Sequence, residues 1–160
     1  EGWGITSDSS GNLYATGYIS FGLDGNTSAG GFDLFVVKYD TSGVKQWTKQ
    51  LGTASDDFGT GITSNSSGNI YVTGHTEGHL DGNTSAGGVD LFLVKYNSSG
   101  VKQWTKQLGT SAGDYGNGIT SDSSGNVYVT GYTGGGLEGN THAGNLDFFM
   151  VKYDTNGNKQ

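Results

Sequence analysis

Acid, amide and hydroxyl oxygens stand close together in one segment of this chain, and that segment occurs three times. It reads Leu-Asp-Gly-Asn-Thr-Ser-Ala-Gly at 23–30 and again at 80–87, then Leu-Glu-Gly-Asn-Thr-His-Ala-Gly at 137–144. Oxygens so placed suit calcium, a hard cation that takes about six to eight of them. The candidate ligands are Asp24, Asn26, Asp81, Asn83, Glu138 and Asn140. The same kind of groups can bond sugar hydroxyls, so Thr27, Thr84 and Thr141, with Tyr18 or Tyr132 as a stacking platform, form a candidate glycan surface. A third reading needs no ligand, because Asp and Asn side chains also satisfy the amides of their own turn. The residues alone leave all three open.

Other constellations carry less chemistry. Gly109-Thr110-Ser111-Ala112-Gly113 has the spacing of a nucleophile elbow, and Gly134, Gly136 and Gly139 have that of a dinucleotide loop. Both motifs work only where a helix follows, and here more loop follows. His75, His79 and Asp81 could share a zinc ion from one loop. The three histidines nevertheless stand at non-equivalent repeat positions, which reads better as solvated loop histidines. Asp56 and Asp57 form a carboxylate pair whose counterpart is Gly113-Asp114, a poor basis for acid–base work. Asp33 with Lys38, repeated as Asp90 with Lys95 and Asp147 with Lys152, reads as structural. Asn26, Asn65, Asn83 and Asn97 lie in glycosylation sequons. No set of acid, base and nucleophile converges, so the expectation is a non-enzyme without a resident cofactor.

Composition narrows the partners. The net charge is −7 with only 8 Lys and Arg, a poor match for nucleic acid or an anionic membrane surface. No apolar run approaches the roughly 20 residues of a membrane-spanning helix. With no cysteine there is neither a disulfide framework nor a thiolate metal site. Glycine at 31 of 160 residues, with proline absent, points to a β protein with many tight turns rather than a Pro/Gly linker.

What must position these loops is a repeat of 57 residues. GITSDSSGNLYATGY from Gly4 returns as GITSNSSGNIYVTGH from Gly61 and GITSDSSGNVYVTGY from Gly118; KYDTSGVKQWTKQLGT from Lys38 returns from Lys95 with two changes. The units run 1–57, 58–114 and 115–160. Each offers four strands: a short glycine-rich one (Gly4 to Ser7), an alternating one (Leu13 to Tyr18), one apolar on both faces (Phe32 to Tyr39), and a polar one (Val44 to Leu51) in which Trp47 and Leu51 share a face with Lys45 and Lys49. A crowded small-residue strand at one edge and a lysine-bearing strand at the other predict antiparallel propeller blades. A β-solenoid is the rival, although its coils repeat over about 20 to 30 residues. Trp47 and Trp104 should then pack alike near the blade rims, with Trp3 the exception, and the three long loops should leave on one side.

The strings SSGNVYVTGY, GGFDLFVVKYDTSG and WTKQLGT resemble the bacterial SBBP repeat family. The resemblance covers essentially the whole chain. It implies an all-β propeller and a secreted or surface-exposed bacterial protein, and it carries over no catalytic residues. The third unit stops before its fourth strand, and three blades fall short of the four or more in a closed propeller. The expected partners are therefore other copies of the chain or further repeats of a longer one, with two chains giving a six-blade ring as the simplest closed case. Glycans or surface proteins are the expected external partners.

Overall fold

The computed structural model describes residues 1–160. Three antiparallel sheets follow one another along the chain, each a simple meander. The first contains β1 (Gly2–Ser7), β2 (Leu13–Ile19), β3 (Asp33–Tyr39) and β4 (Lys45–Leu51). The second contains β5 (Asp57–Ser64), β6 (Ile70–Thr76), β7 (Asp90–Tyr96) and β8 (Lys102–Leu108). The third holds β9 (Asp114–Ser121), β10 (Val127–Thr133) and β11 (Asp147–Tyr153). Each sheet is a propeller blade, and blades 1 to 3 below follow chain order.

The turns explain why the meander closes. At the β1–β2 turn Asp8 accepts the amides of Ser10 and Asn12 through Oδ1, while its Oδ2 accepts from Asn12 Nδ2 and the Tyr14 hydroxyl. Asp122 repeats this arrangement with Ser124, Asn126 and Tyr128. A carboxylate taking two amides in a four-residue span holds the reversal by local bonds alone.

The alternation of each strand then divides its residues between two neighbours. Blade 1 turns Tyr14, Leu34 and Val36 toward blade 2, which answers with Ile62, Ile70, Val72, Phe92, Val94 and Tyr96. Blade 2 turns Tyr71, Leu91 and Leu93 toward Val127, Val129, Phe149, Val151 and Tyr153 of blade 3. The core thus lies between blades, and each fully buried aliphatic or aromatic side chain contributes about 1.5–3 kcal/mol. The expectation that the third strand is covered on both faces holds for β7 of the middle blade. In β11 the outward Phe148 and Met150 are 77% and 65% exposed.

Trp47 and Trp104 occupy equivalent half-buried places. Trp47 packs on Tyr14 at 5.9 Å between ring centroids and Trp104 on Tyr71 at 6.0 Å. Each indole lies against the β3–β4-type turn of the next blade, at Gly100 and Gly157. Those glycines have φ of 77° and 79°, and a methyl group there would collide with the indole. Lys38 and Lys95 complete the joint by donating to the carbonyls of Ser98 and Thr155, 3.2 and 2.9 Å away. Trp3, by contrast, is 62% exposed.

The first strands are the innermost. Ser64 Oγ donates to Ser7 O at 2.8 Å and Ser121 Oγ to Ser64 O at 3.0 Å, stitching β1, β5 and β9 side by side. These strands are longer than the expected Gly4–Ser7: β5 and β9 run eight residues. The difference comes from a register shift in each, between Gly2 and Gly4, Gly59 and Gly61, and Gly116 and Gly118. One unpaired residue per blade (Trp3, Thr60, Asn117) forms a β-bulge, beyond which the ladder resumes.

Candidate functional site

Each of the three oxygen-rich loops lies back on its own blade. Asp24 pairs with Lys45 and accepts the Thr48 hydroxyl at 2.6 Å. The Lys45 ammonium and the Thr48 hydroxyl hold its carboxyl below the usual range. Asp81 pairs with Lys102 and accepts from Thr105 Oγ1, and Glu138 pairs with Lys159. All three acids adopt left-handed backbone, with φ of 51°, 54° and 57°. Asn26 turns its Nδ2 to the carbonyls of Leu23 and Thr48; Asn83 does the same to Leu80 and Thr105, and Asn140 to Leu137. Acid and amide therefore point into one blade rather than toward one another across blades. Leu80 and Leu137 are buried beneath their loops and join the inter-blade cores. Thr27, Thr84 and Thr141 lie exposed on the loop surfaces.

The histidines and Asp81 are not brought together. His79 Nδ1 accepts the Ser85 amide, His142 pairs with Asp147 at 2.9 Å, and His75 lies among aromatic rings. No group of three metal-ligating side chains forms. Asp33 and Lys38, read together from sequence, also serve different places. Asp33 is fully buried and accepts from the Ala29 amide and Gln50 Nε2, whereas Lys38 reaches the next blade.

Two functional-looking features escape a linear reading. The first is the buried pair Asp57 and Asp114, which open β5 and β9. Asp57 accepts the amide and hydroxyl of Thr53 and the hydroxyl of Thr76; Asp114 accepts the amide and hydroxyl of Thr110. Burial raises the Asp57 carboxyl above its ordinary range. Their spacing of 57 residues was the available signal, hidden by the unmatched Asp56 beside one of them.

The second is a row of rings near the inner strands. Tyr18, Phe58, His75, Tyr115 and Tyr132 follow one another across the three blades with centroid separations of 4.7, 4.9, 4.9 and 4.7 Å. Trp3 adds to one end, 6.5 Å from Tyr18. The row needs close strand approach: a Cβ at Gly74 would lie 1.8 Å from the Phe58 carbonyl oxygen, and Gly17 and Gly131 repeat that crowding. Tyr18 and Tyr132, the stacking candidates, face one pocket; among the threonine candidates, none lines it.

Radial sheets joined through inner strands define a β-propeller repeat protein. The family model described as a beta-propeller repeat, SBBP, matches residues 46–81 and 103–138, so the chain carries SBBP repeats as its sequence implied. It is also similar, at 26% identity over 84% of its length, to an uncharacterized WD repeat-containing protein, L264, of Acanthamoeba polyphaga mimivirus. A regulatory protein of Caulobacter vibrioides, FlaEY, is 27% identical over 94% of the chain. The chain spans 12% and 18% of the lengths of these two relatives.

Proposed function

We propose that the chain is a non-enzymatic scaffold module of an extracellular or cell-surface protein, acting through its blade faces. The observation that carries this is the equivalence of its two open faces to the two faces already joined inside it. Ile5 and Leu13 of blade 1, both exposed, correspond to Ile62 and Ile70, which pack against blade 1. Phe148, Met150 and Tyr128 of blade 3 correspond to Leu91, Leu93 and Tyr71, which pack against blade 3. A further blade, from another copy or from further repeats, would meet surfaces of the same shape and chemistry, and apolar surfaces of this kind favour association. The non-enzymatic part is supported by how its carboxylates are used: Asp24 and Asp81 on lysines, Asp33, Asp57 and Asp114 on threonines, amides and a glutamine.

Sedimentation of this 160-residue chain at micromolar concentration should show association, and Phe148→Asp with Met150→Asp should return it to a folded monomer. A wild-type chain that stays monomeric throughout would overturn the scaffold reading. Protease treatment of intact source cells should release its peptides; release only after lysis would overturn the surface assignment. A calcium-dependent or lectin-like role through the Leu-Asp-Gly-Asn-Thr loops is the second reading, favoured by their threefold recurrence. A rise in melting temperature with millimolar calcium is its test, and no heat and no shift would remove it.

A further inference from the structure

Among the positions at which the 57-residue units differ, three supply side chains to one pocket. At the bulge position the three units carry Trp3, Thr60 and Asn117; at the end of the second strand, Tyr18, His75 and Tyr132; one residue into the first strand, Glu1, Phe58 and Tyr115. Seven of these nine line a single pocket: one from each blade at the first two positions, and Phe58. Its volume is about 540 Å³, within the range of small-molecule sites. The bulges create it, since an extra residue in a ladder re-aims a side chain, and such bulges favour functional sites.

The chemistry of the walls is aromatic with neutral polar groups. Trp3, Tyr18, Phe58 and Tyr132 supply ring surface, and Thr60, Asn117 and His75 supply oxygen and nitrogen. Thr60 Oγ1 is held in place by donating to Gly116 O of the next blade at 2.6 Å. No lysine or arginine lines the pocket, so nothing there would offset the charge of a phosphate or carboxylate. Burial pushes the His75 imidazole down to about 4, which leaves it neutral, and its Nδ1 is buried without a partner in the protein. A ligand fitting these walls has an apolar face for the rings and an uncharged rim of hydroxyls. A quaternary ammonium would use the rings but leave Thr60, Asn117 and His75 idle.

We propose that this axial pocket binds a neutral pyranose, stacked against Trp3 and bonded at its rim by Thr60 and Asn117. The site is separate from the Leu-Asp-Gly-Asn-Thr loops and goes beyond the scaffold reading, which would survive its failure. The test is saturation-transfer NMR with the methyl glycosides of glucose, galactose and N-acetylglucosamine at millimolar concentration, followed by calorimetry on whichever binds. Transfer to ring protons of at least one glycoside is expected. Trp3→Ala should weaken it by roughly tenfold or more and Asn117→Ala by roughly threefold, while Thr27→Ala, Thr84→Ala and Thr141→Ala leave it unchanged. Circular dichroism of each variant separates lost binding from lost fold. No transfer to any glycoside, binding that survives in folded Trp3→Ala, sensitivity to the loop threonines, or preference for choline over all three sugars would each overturn the proposal.

Discussion

The joints between blades and the ring of bulges at their inner edge are built by the same repeat under opposite rules. At the joints the units agree in identity: Trp47 and Trp104 stack on Tyr14 and Tyr71, seat Gly100 and Gly157, and stand beside Lys38 and Lys95. At the bulges they disagree: Trp3, Thr60 and Asn117 share a backbone position and nothing else. A joint must repeat because each blade serves as the neighbour of the one before it, so any change is felt by the adjoining unit. The exposed side chains of Trp3 and Asn117 have no such obligation, whereas Thr60 also bonds Gly116 O of the next blade. The letters repeated at these joints therefore hold the fold, and the exposed bulge residues Trp3 and Asn117 are free for recognition.

A cut into a joint should cost the most stability. Phe92 is fully buried between blades 1 and 2, and Phe92→Ala should cost about 3–5 kcal/mol through lost burial and the cavity left behind. Urea unfolding followed by circular dichroism would show it as a lower midpoint. A cost comparable to that of an exposed substitution would mean that the blades do not share a core.

His75 belongs to the ring row but is partly buried, so it sharpens the boundary between the two regions. Burial pushes its imidazole down to about 4, against 6.5 for the ordinary group. Folding favours the neutral ring, so its contribution is complete above pH about 6.5 and is lost as the pH falls toward about 4. Across that window stability should drop by about 2–3 kcal/mol more in the wild type than in His75→Tyr, which restores the residue of the other two units. Parallel curves for the two proteins would show that His75 is solvated.

The lysine bridges are smaller contributors. Lys95→Met removes a bond to Thr155 O and a cation 5.6 Å from the Tyr71 ring, worth about 1 kcal/mol together. Asp81→Asn removes the exposed pairing with Lys102 and should cost about 1 kcal/mol or less, since asparagine tolerates left-handed backbone. Equal midpoints for Lys95→Met and wild type would place that lysine outside the joint.

Most of the blade was legible in the sequence because strand alternation and turn residues are local signals. Leu13 to Tyr18 and Val44 to Leu51 could be read from period and turn chemistry, as could the like roles of Trp47 and Trp104. The bulges could not, since a bulge is a property of pairing between β1 and β2 and leaves no mark on β1 alone. Missing them shortened the first strand to Gly4–Ser7 and left Asp57 and Asp114 outside it. The convergence of Tyr18 and Tyr132 was equally hidden, because it depends on how far each blade turns relative to the last. The oxygen-rich loops invited a ligand because a linear reading cannot see Lys45 or Lys102, each 21 residues beyond the acid it meets.

If the joints carry the fold and the exposed bulge residues Trp3 and Asn117 do not, one double variant should leave stability unchanged. Trp3→Thr with Asn117→Thr gives all three blades the bulge residue that blade 2 already has. Urea unfolding of this variant should match the wild type to within about 0.5 kcal/mol, despite the loss of a tryptophan. A loss of about 2 kcal/mol or more, on the scale of a cut into a joint, would contradict the division drawn here.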